Sequence, residues 1–263
     1  FMKRIVADML GRDVEFQFPP QRIVSVVPSQ TELLHYLGLE GEVVGITKFC
    51  VHPETWFRSK TRVGGTKKLN IEKIRELQPD LIIANKEENE RAQIEELAKE
   101  FPVWISNMQT IPQALQMIQV VGLLTGREGK ANELVDEIVV GFTKLHKATA
   151  PKRVAYFIWY NPWMSVGGDT FISNMIQTIG WQNVLKHESR YPEVNLEQLK
   201  VLNPELVLLS SEPFPFKEKH IAEIKAVLPD ADVKLVDGEM FSWYGSRMKD
   251  AVGYMGELLN ERQ

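Results

Sequence analysis

The chain has 263 residues, 44% of them apolar, and a formal net charge of -4, which is material for two compact lobes or one large domain. No run of lysine or arginine could track a phosphate backbone, which argues against nucleic acid as a partner. No apolar stretch approaches the roughly 20 residues that span a bilayer, and a single cysteine, Cys50, excludes an internal disulfide and a multi-cysteine metal site.

In chain order, Val14 to Phe18 read as a small strand closed by Pro19-Pro20, and Arg22 to Val27 as the first buried strand. Residues 28–32 form a turn into the helix L-L-H-Y-L-G, which Ser29 or Thr31 is expected to cap and Gly38 to stop. A strand at Val43 to Ile46 is followed by a long loop, Thr47 to Asn70, and long loops after strands are where sites usually lie. A helix and strand over Leu69 to Ile83, a charged helix from about Glu87 to Glu100 and a strand from Pro102 to Ile105 complete a first lobe, residues 1–108.

Residues 109–150 read as helix rather than flexible linker. Ile111 to Leu124 is one segment, broken around Thr125-Gly126, and Arg127 to about Lys147 is a second. In the latter, Ala131, Leu134, Val135, Ile138, Phe142 and Leu145 share one face. At 1.5 Å per residue such a helix is about 30 Å long, a rod that limits hinge closure. The second lobe, residues 151–263, begins with the strand R-V-A-Y-F-I-W-Y and continues through a Gly167-Gly168 turn, a helix from Phe171 to Ile179, another helix–strand pair, a helix around His220 to Leu228, a strand at Val233 to Val236 and a final helix. Alternation of strand and helix makes the fold class α/β: two Rossmann-like lobes with mostly parallel sheets, joined by a rigid backbone α-helix.

The division into two lobes rests on a repeat. L-N-I-E-K-I-R-E-L-Q-P-D-L-I-I (Leu69 to Ile83) and V-N-L-E-Q-L-K-V-L-N-P-E-L-V-L (Val194 to Leu208) match position for position without a gap. In each, an asparagine (Asn70, Asn195) caps a helix, a glutamate (Glu72, Glu197) sits at the positive end of its dipole, and a proline (Pro79, Pro204) ends it ahead of a buried strand.

Taken together, R-I-V-S-V-V-P-S-Q-T-E-L-L-H-Y-L-G-L, the paired N-x-E helix followed by P-D/E-L, the turn and helix G-G-D-T-F-I and the central rod resemble the substrate-binding proteins of ABC importers for vitamin B12, haem and iron–siderophore complexes. The resemblance covers about Asp8 to Leu259. It implies a ligand held in the cleft between two lobes, little hinge motion, and a glutamate on each lobe, here Glu72 and Glu197, docked on arginines of the permease. Read simply as helix N-terminal carboxylates, the same two residues would each contribute about 0.3–1 kcal/mol.

The loop positions expected to meet the ligand are Phe49, His52, Gly65 and Thr66 in the first lobe, and Trp163, Met164, Tyr191, Glu239, Trp243, Tyr244 and Arg247 in the second. Flat conjugated ligands are gripped by aromatic faces with a few polar groups for orientation. Each aromatic has an alternative role as a plug between loop and core, and Arg247 has two: a ligand carboxylate or phosphate, or Glu239. His52 and Tyr191 are the candidate axial ligands to haem iron or cobalt. Thr66 stands where B12-binding members carry tryptophan, which removes one stacking face. The five histidines are scattered among different elements, so no dedicated site for a bare metal ion is expected.

The leading expectation is a non-enzymatic, monomeric carrier of a metal chelate, first cobalamin or a related corrinoid, partnered with an ABC permease. A haem or ferric-siderophore carrier, a cytosolic corrinoid or haem carrier, and an α/β enzyme stand as alternatives. Against the enzyme, the sequence has no G-x-G-x-x-G after the first strand, no P-loop and no nucleophile elbow. The N-terminus F-M-K-R-I-V-A-D-M-L-G-R lacks the apolar core of a secretory signal. With Met2 as natural start the expected compartment is the cytoplasm; with a signal trimmed ahead of it, the periplasm or cell envelope.

Overall fold

The computed structural model describes residues 2–146 and 150–260. An antiparallel hairpin opens the chain, β1 (Met2–Ala7) against β2 (Asp13–Phe18). β1 went unread in the sequence because it buries no face; its Met2 and Ile5 are about 60% exposed (59% and 62%). There follow β3 (Ile23–Ser25), α1 (Pro28–Tyr36), β4 (Val43–Ile46), α2 (Glu54–Ser59), β5 (Thr61–Arg62), α3 (Ile71–Leu77), β6 (Leu81–Asn85), α4 (Arg91–Leu97) and β7 (Val103–Ser106). The long loop therefore contains a helix and a short strand. All five strands of this sheet are parallel, in the order β5-β4-β3-β6-β7.

The capping expectation for α1 is corrected. Its N-cap is Val27, with no side-chain cap bond, and Pro28 occupies the first turn, where a missing N–H costs nothing. Thr31 lies inside the helix, and its hydroxyl donates back to the Val27 carbonyl at 2.9 Å.

α5 (Ile111–Thr125) and α6 (Glu128–Lys144) come next, separated by Gly126 at φ 69°, a left-handed helix stop that glycine adopts without strain. The expected stripe on α6 is buried from Ala131 through Phe142, while Leu145 falls just past the helix and is half-buried. α6 is about 26 Å long; Lys147, to which the sequence reading extends it, lies outside the described residues.

The remaining elements are β8 (Arg153–Trp159), β9 (Met164–Ser165), α7 (Phe171–Thr178), β10 (Gln182–Asn183), α8 (Leu196–Leu202), β11 (Leu206–Ser210), α9 (Glu218–Val227), β12 (Asp232–Val236), α10 (Glu239–Ser242) and α11 (Arg247–Asn260). The second sheet runs β10-β8-β11-β12, all parallel, with β9 antiparallel on β8. By contact the chain divides into two units: Phe1–Met108, Pro112–Ile138 and Tyr244–Arg247 form one, and Gln109–Ile111, Val139–Trp243 and Met248–Gln263 the other. The division runs through α6. Among the described residues no helix is long and apolar enough to cross a membrane.

The sequence repeat extends into topology. β4-β3-β6-β7 and β10-β8-β11-β12 have the same order, with α3–β6 and α8–β11 in equivalent places. Both helices have seven residues and end on a left-handed residue, Gln78 at φ 45° and Asn203 at φ 44°. Both strands are buried along their whole length. A clasp is duplicated too. Asp80 accepts from the amides of Gln21 and Arg22 at 2.7 and 2.9 Å, and the Arg22 Nε donates to the Leu77 carbonyl at 2.8 Å. Glu205 accepts from the Arg153 amide at 3.0 Å, and Arg153 donates to the Leu202 carbonyl. An arginine opening one strand and a carboxylate opening its neighbour thus fix register at the same place in both sheets, and neutralise helix-end carbonyls that lack intrahelical donors.

Candidate functional site

Parallel α/β sheets place their sites beyond the carboxyl ends of the strands. In the first unit these ends carry Phe49 after β4, Gly65 and Thr66 after β5, and Glu88 after β6. Phe49 is 51% exposed, with the Lys48 ammonium 5.1 Å from its ring centroid. A Cβ on Gly65 would stand 3.1 Å from the Phe49 ring, close enough that the ring would have to shift by a few tenths of an ångström to admit it. The Asn89 amide donates to the Val26 carbonyl at 3.0 Å and the Thr66 carbonyl at 3.2 Å, tying three loops of this edge together. His52 is half-buried ahead of α2.

Two expected ligand residues of the C-terminal part have structural partners in this unit. Tyr244 is 7% exposed and its hydroxyl donates to Glu88 at 2.6 Å. Burial, then the Glu88 charge and this hydrogen bond, raises its pKa well above the ordinary phenol value. Arg247 holds Glu32 through two bonds, Nε to Oε2 at 3.1 Å and Nη2 to Oε1 at 2.5 Å, with the side chains 13% and 20% exposed.

In the second unit, Trp163 serves as a plug. It stacks on Phe216 (centroids 5.6 Å, 17°) and meets Phe157 edge-on against the core. Met164 and Tyr191 are half-buried; Met164 pairs with Trp159, and the Arg190 guanidinium lies 5.4 Å from the Tyr191 ring. Trp243 is 8% exposed and its indole N–H donates to Glu212 Oε1 at 2.9 Å, beside the Ser242 hydroxyl at 2.8 Å. Burial raises the pKa of Glu212, and the charges of Glu239 and Asp237 add to the shift. Glu239 opens α10 after β12. Sequence reasoning passed over Trp159, which reads as the last residue of an apolar strand. It is 41% exposed at the carboxyl end of β8, and its ring meets Phe214 edge-on at 5.8 Å. Its signal is an aromatic closing a strand where a site edge begins.

Glu72 and Glu197 occupy the same place in both units. Each follows an asparagine cap by two residues: Asn70 accepts from the Lys73 amide at 3.0 Å, and Asn195 from the Gln198 amide at 2.8 Å in a full capping box. A helix preceding a parallel strand runs antiparallel to it, so its first turn lies toward the carboxyl edge of the sheet. The amide of Asn70 accordingly reaches the Val63 carbonyl after β5, and Val194 the Trp163 carbonyl before β9, at 2.8 and 2.9 Å. Both glutamates are exposed. Glu72 is bonded by Arg75, which also bonds Glu96 at 2.9 Å and Glu100 at 2.6 Å. Glu197 makes no ion pair among the described residues.

Cys50 is fully buried, with the Thr31 and Thr47 hydroxyls at 3.1 and 3.2 Å from its sulfur, and burial raises its pKa. No group of three or more His, Cys, Asp or Glu side chains assembles to hold a metal ion among the described residues. A groove of about 440 Å³, lined by residues 12–15 and 98–103, contains none of the candidate positions.

The periplasmic binding protein family matches residues 23–230. The chain belongs to that family. An uncharacterized ABC transporter substrate-binding lipoprotein of Bacillus subtilis, YvrC, is 25% identical over 216 residues, 77% of this chain and 68% of its own length. The vitamin B12-binding protein of Vibrio campbellii is 25% identical over 197 residues, 73% of this chain and 71% of its own. Among solved structures, the periplasmic haem-binding protein HutB of Vibrio cholerae superposes with a TM-score of 0.77 at 22% identity, covering 91% of this chain and 99% of its own; at that identity the likeness speaks for the fold. The two-lobed α/β architecture expected from the repeat is thus the family's own.

Proposed function

We propose that the protein captures a metal chelate, a corrinoid in preference to haem or a ferric siderophore, and delivers it as a monomer to an ABC importer at the cell envelope. The observation that carries delivery is the duplicated cap-and-carboxylate unit: two equivalent sheets each present one exposed glutamate, Glu72 and Glu197, in the first turn of an equivalent helix. Two matched carboxylates offer a two-point dock for basic groups on a permease, and complementary charge of this kind orients partners. The names of the relatives, a B12-binding protein and an ABC substrate-binding lipoprotein, support the same reading.

The preference for a corrinoid follows from charge. Arg247, the arginine expected to meet a ligand carboxylate, is held by Glu32. An anionic chelate loses that counter-ion. Phe49, Gly65 and Thr66 in one unit and Met164, Tyr191 and Glu239 in the other are the ligand contacts of this proposal, with His52 or Tyr191 as axial donor. Trp163, Trp243 and Tyr244 position the loops behind them.

A thermal-shift panel with cyanocobalamin, haemin and ferrichrome tests the proposal. At a hundred times its dissociation constant the cargo adds about 2.7 kcal/mol, a rise in Tm of about 5–10 °C at this chain length. A rise with cyanocobalamin alone or foremost is expected. No rise with any of the three would overturn the carrier reading, and a rise with haemin or ferrichrome alone would move the cargo.

A further inference from the structure

Two helices of the second unit open on the same reciprocal cap, built from different chemistry. At the start of α8 the Asn195 amide donates to the side chain of Gln198 at 2.9 Å. At the start of α9 the Lys217 amide donates to Nδ1 of His220, again at 2.9 Å, and the His220 amide donates back to the Lys217 carbonyl. Both are capping boxes, with an imidazole in one where a carboxamide stands in the other. A carboxamide oxygen accepts at every pH. Nδ1 accepts only while the imidazole is neutral, because both ring nitrogens are donors once it is protonated.

His220 is 1% exposed, and its Nε2 has no hydrogen-bond partner among the described residues. With Nδ1 accepting, the ring hydrogen is on Nε2. The imidazole sits among four aromatic rings: Tyr160 with centroids 4.6 Å apart, Phe216 at 5.2 Å, Phe214 at 5.4 Å and Trp163 at 6.3 Å. These come from the loop after β8 and from the loop that leads into α9. Their one charged partner is Glu223, further along α9, which accepts from the Tyr160 hydroxyl at 3.1 Å; Lys217, beside the cap, is exposed. Aromatic faces and a nearby carboxylate both favour a cation. The box therefore accommodates either charge state of His220, whereas the cap accommodates only the neutral one.

We infer that His220 is a pH-sensitive latch: its neutral imidazole fastens the 211–217 loop to the start of α9, and the imidazolium releases it. The loop buttresses its neighbours at the carboxyl edge of the sheet. Phe216 stacks on Trp163, and Glu212 accepts from Trp243 and Ser242. On the carrier reading, on which this consequence rests, cargo is held at neutral pH and loosened in acid.

Hydrogen exchange of the intact protein, read by mass spectrometry and corrected for the intrinsic effect of pH, compares residues 211–220 with residues 194–200 at about pH 8 and about pH 5. Protection of 211–220 is expected to fall about fivefold on acidification, the contribution of one helix cap. Protection of 194–200, capped through Gln198, should hold. His220→Gln keeps an acceptor and cannot titrate, so both of its segments should hold. Glu212 lies on the same loop and binds a proton more readily than an ordinary carboxyl, but it is present in both proteins. A fall that persists in His220→Gln would therefore overturn the latch, as would unchanged protection in the parent. Nitrogen resonances of the parent's imidazole need no variant: Nδ1 must gain its proton as protection is lost, and loss with Nδ1 still unprotonated would overturn the inference. Titration with cyanocobalamin reads the consequence. Affinity should drop in acid in the parent and hold in His220→Gln; equal affinity at both pH values in the parent would overturn the link to cargo. No binding at either pH would overturn the carrier reading and leave the latch, which hydrogen exchange decides alone.

Discussion

If Arg247 is a structural residue, its stabilising effect must depend on Glu32. The two side chains form a bidentate pair at 2.5 and 3.1 Å and are 13% and 20% exposed. Hydrogen bonds to charged groups contribute about 1.5–3 kcal/mol net each, and removing one member of a fully buried pair costs about 3–5 kcal/mol because the other charge is stranded. Residual exposure lowers that figure, so Arg247→Met or Glu32→Gln alone should cost about 2–3 kcal/mol. The double variant strands no charge, and should fall short of the sum of the singles by about 1.5–2 kcal/mol, within the range of coupling for residues in contact. Urea unfolding followed by circular dichroism, compared at unchanged slope, supplies all four corners of the cycle. Additivity within about 0.5 kcal/mol would show that the pair is not coupled, and would return Arg247 to the ligand-facing role that the sequence suggested.

Three further outcomes follow from the geometry. Asn70→Ala and Asn195→Ala should each destabilise by about 1 kcal/mol, Asn195 the more because its cap is a reciprocal box, measured as urea midpoints. Glu212 has a raised carboxyl pKa in the folded state, so folding binds a proton more readily there than unfolding does; its burial destabilises the fold as pH rises from the ordinary carboxylate range through the folded value. Glu212→Gln keeps an acceptor for Ser242 and Trp243 and should match or exceed the parent Tm at pH 7, with the difference shrinking toward pH 4; a difference that grows on acidification would contradict the assignment. Cys50, buried with its pKa raised, should leave a chromogenic disulfide reagent unreacted in buffer and consume one equivalent in denaturant.

The repeat was legible because everything that writes it is local. A cap, a carboxylate in the first turn, three apolar positions at helical spacing and a terminating proline all lie within 15 residues, and the structure places α3–β6 and α8–β11 at equivalent positions in two sheets. The parallel α/β class followed from the same signals. What stayed hidden depends on distant partners. Arg247 and Glu32 are 215 residues apart, and Tyr244 and Glu88 156 apart. No pattern within a loop could have shown that these side chains were already engaged. The partner of Trp243 was hidden over a shorter separation, 31 residues, for the same reason: its acceptor, Glu212, follows a different strand. Trp159 was overlooked for the opposite cause, since exposure at a strand end cannot be told from burial in a strand middle by residue type alone. The cap of α1 was misplaced because Ser29 and Thr31 are good caps intrinsically, whereas Pro28, with its φ preset, starts the helix four residues earlier than a cap at Thr31 would.

The central claim is capture followed by delivery, and cellular uptake measures both. In host cells whose only copy of the gene carries Glu72→Arg, Glu197→Arg or both, uptake of radiolabelled cyanocobalamin is compared with the parent, and the same purified variants are titrated with cyanocobalamin. The account predicts that each single reversal slows uptake, that the double reversal abolishes it, and that affinity for the ligand is unchanged throughout. Parental uptake by the double reversal would contradict the account.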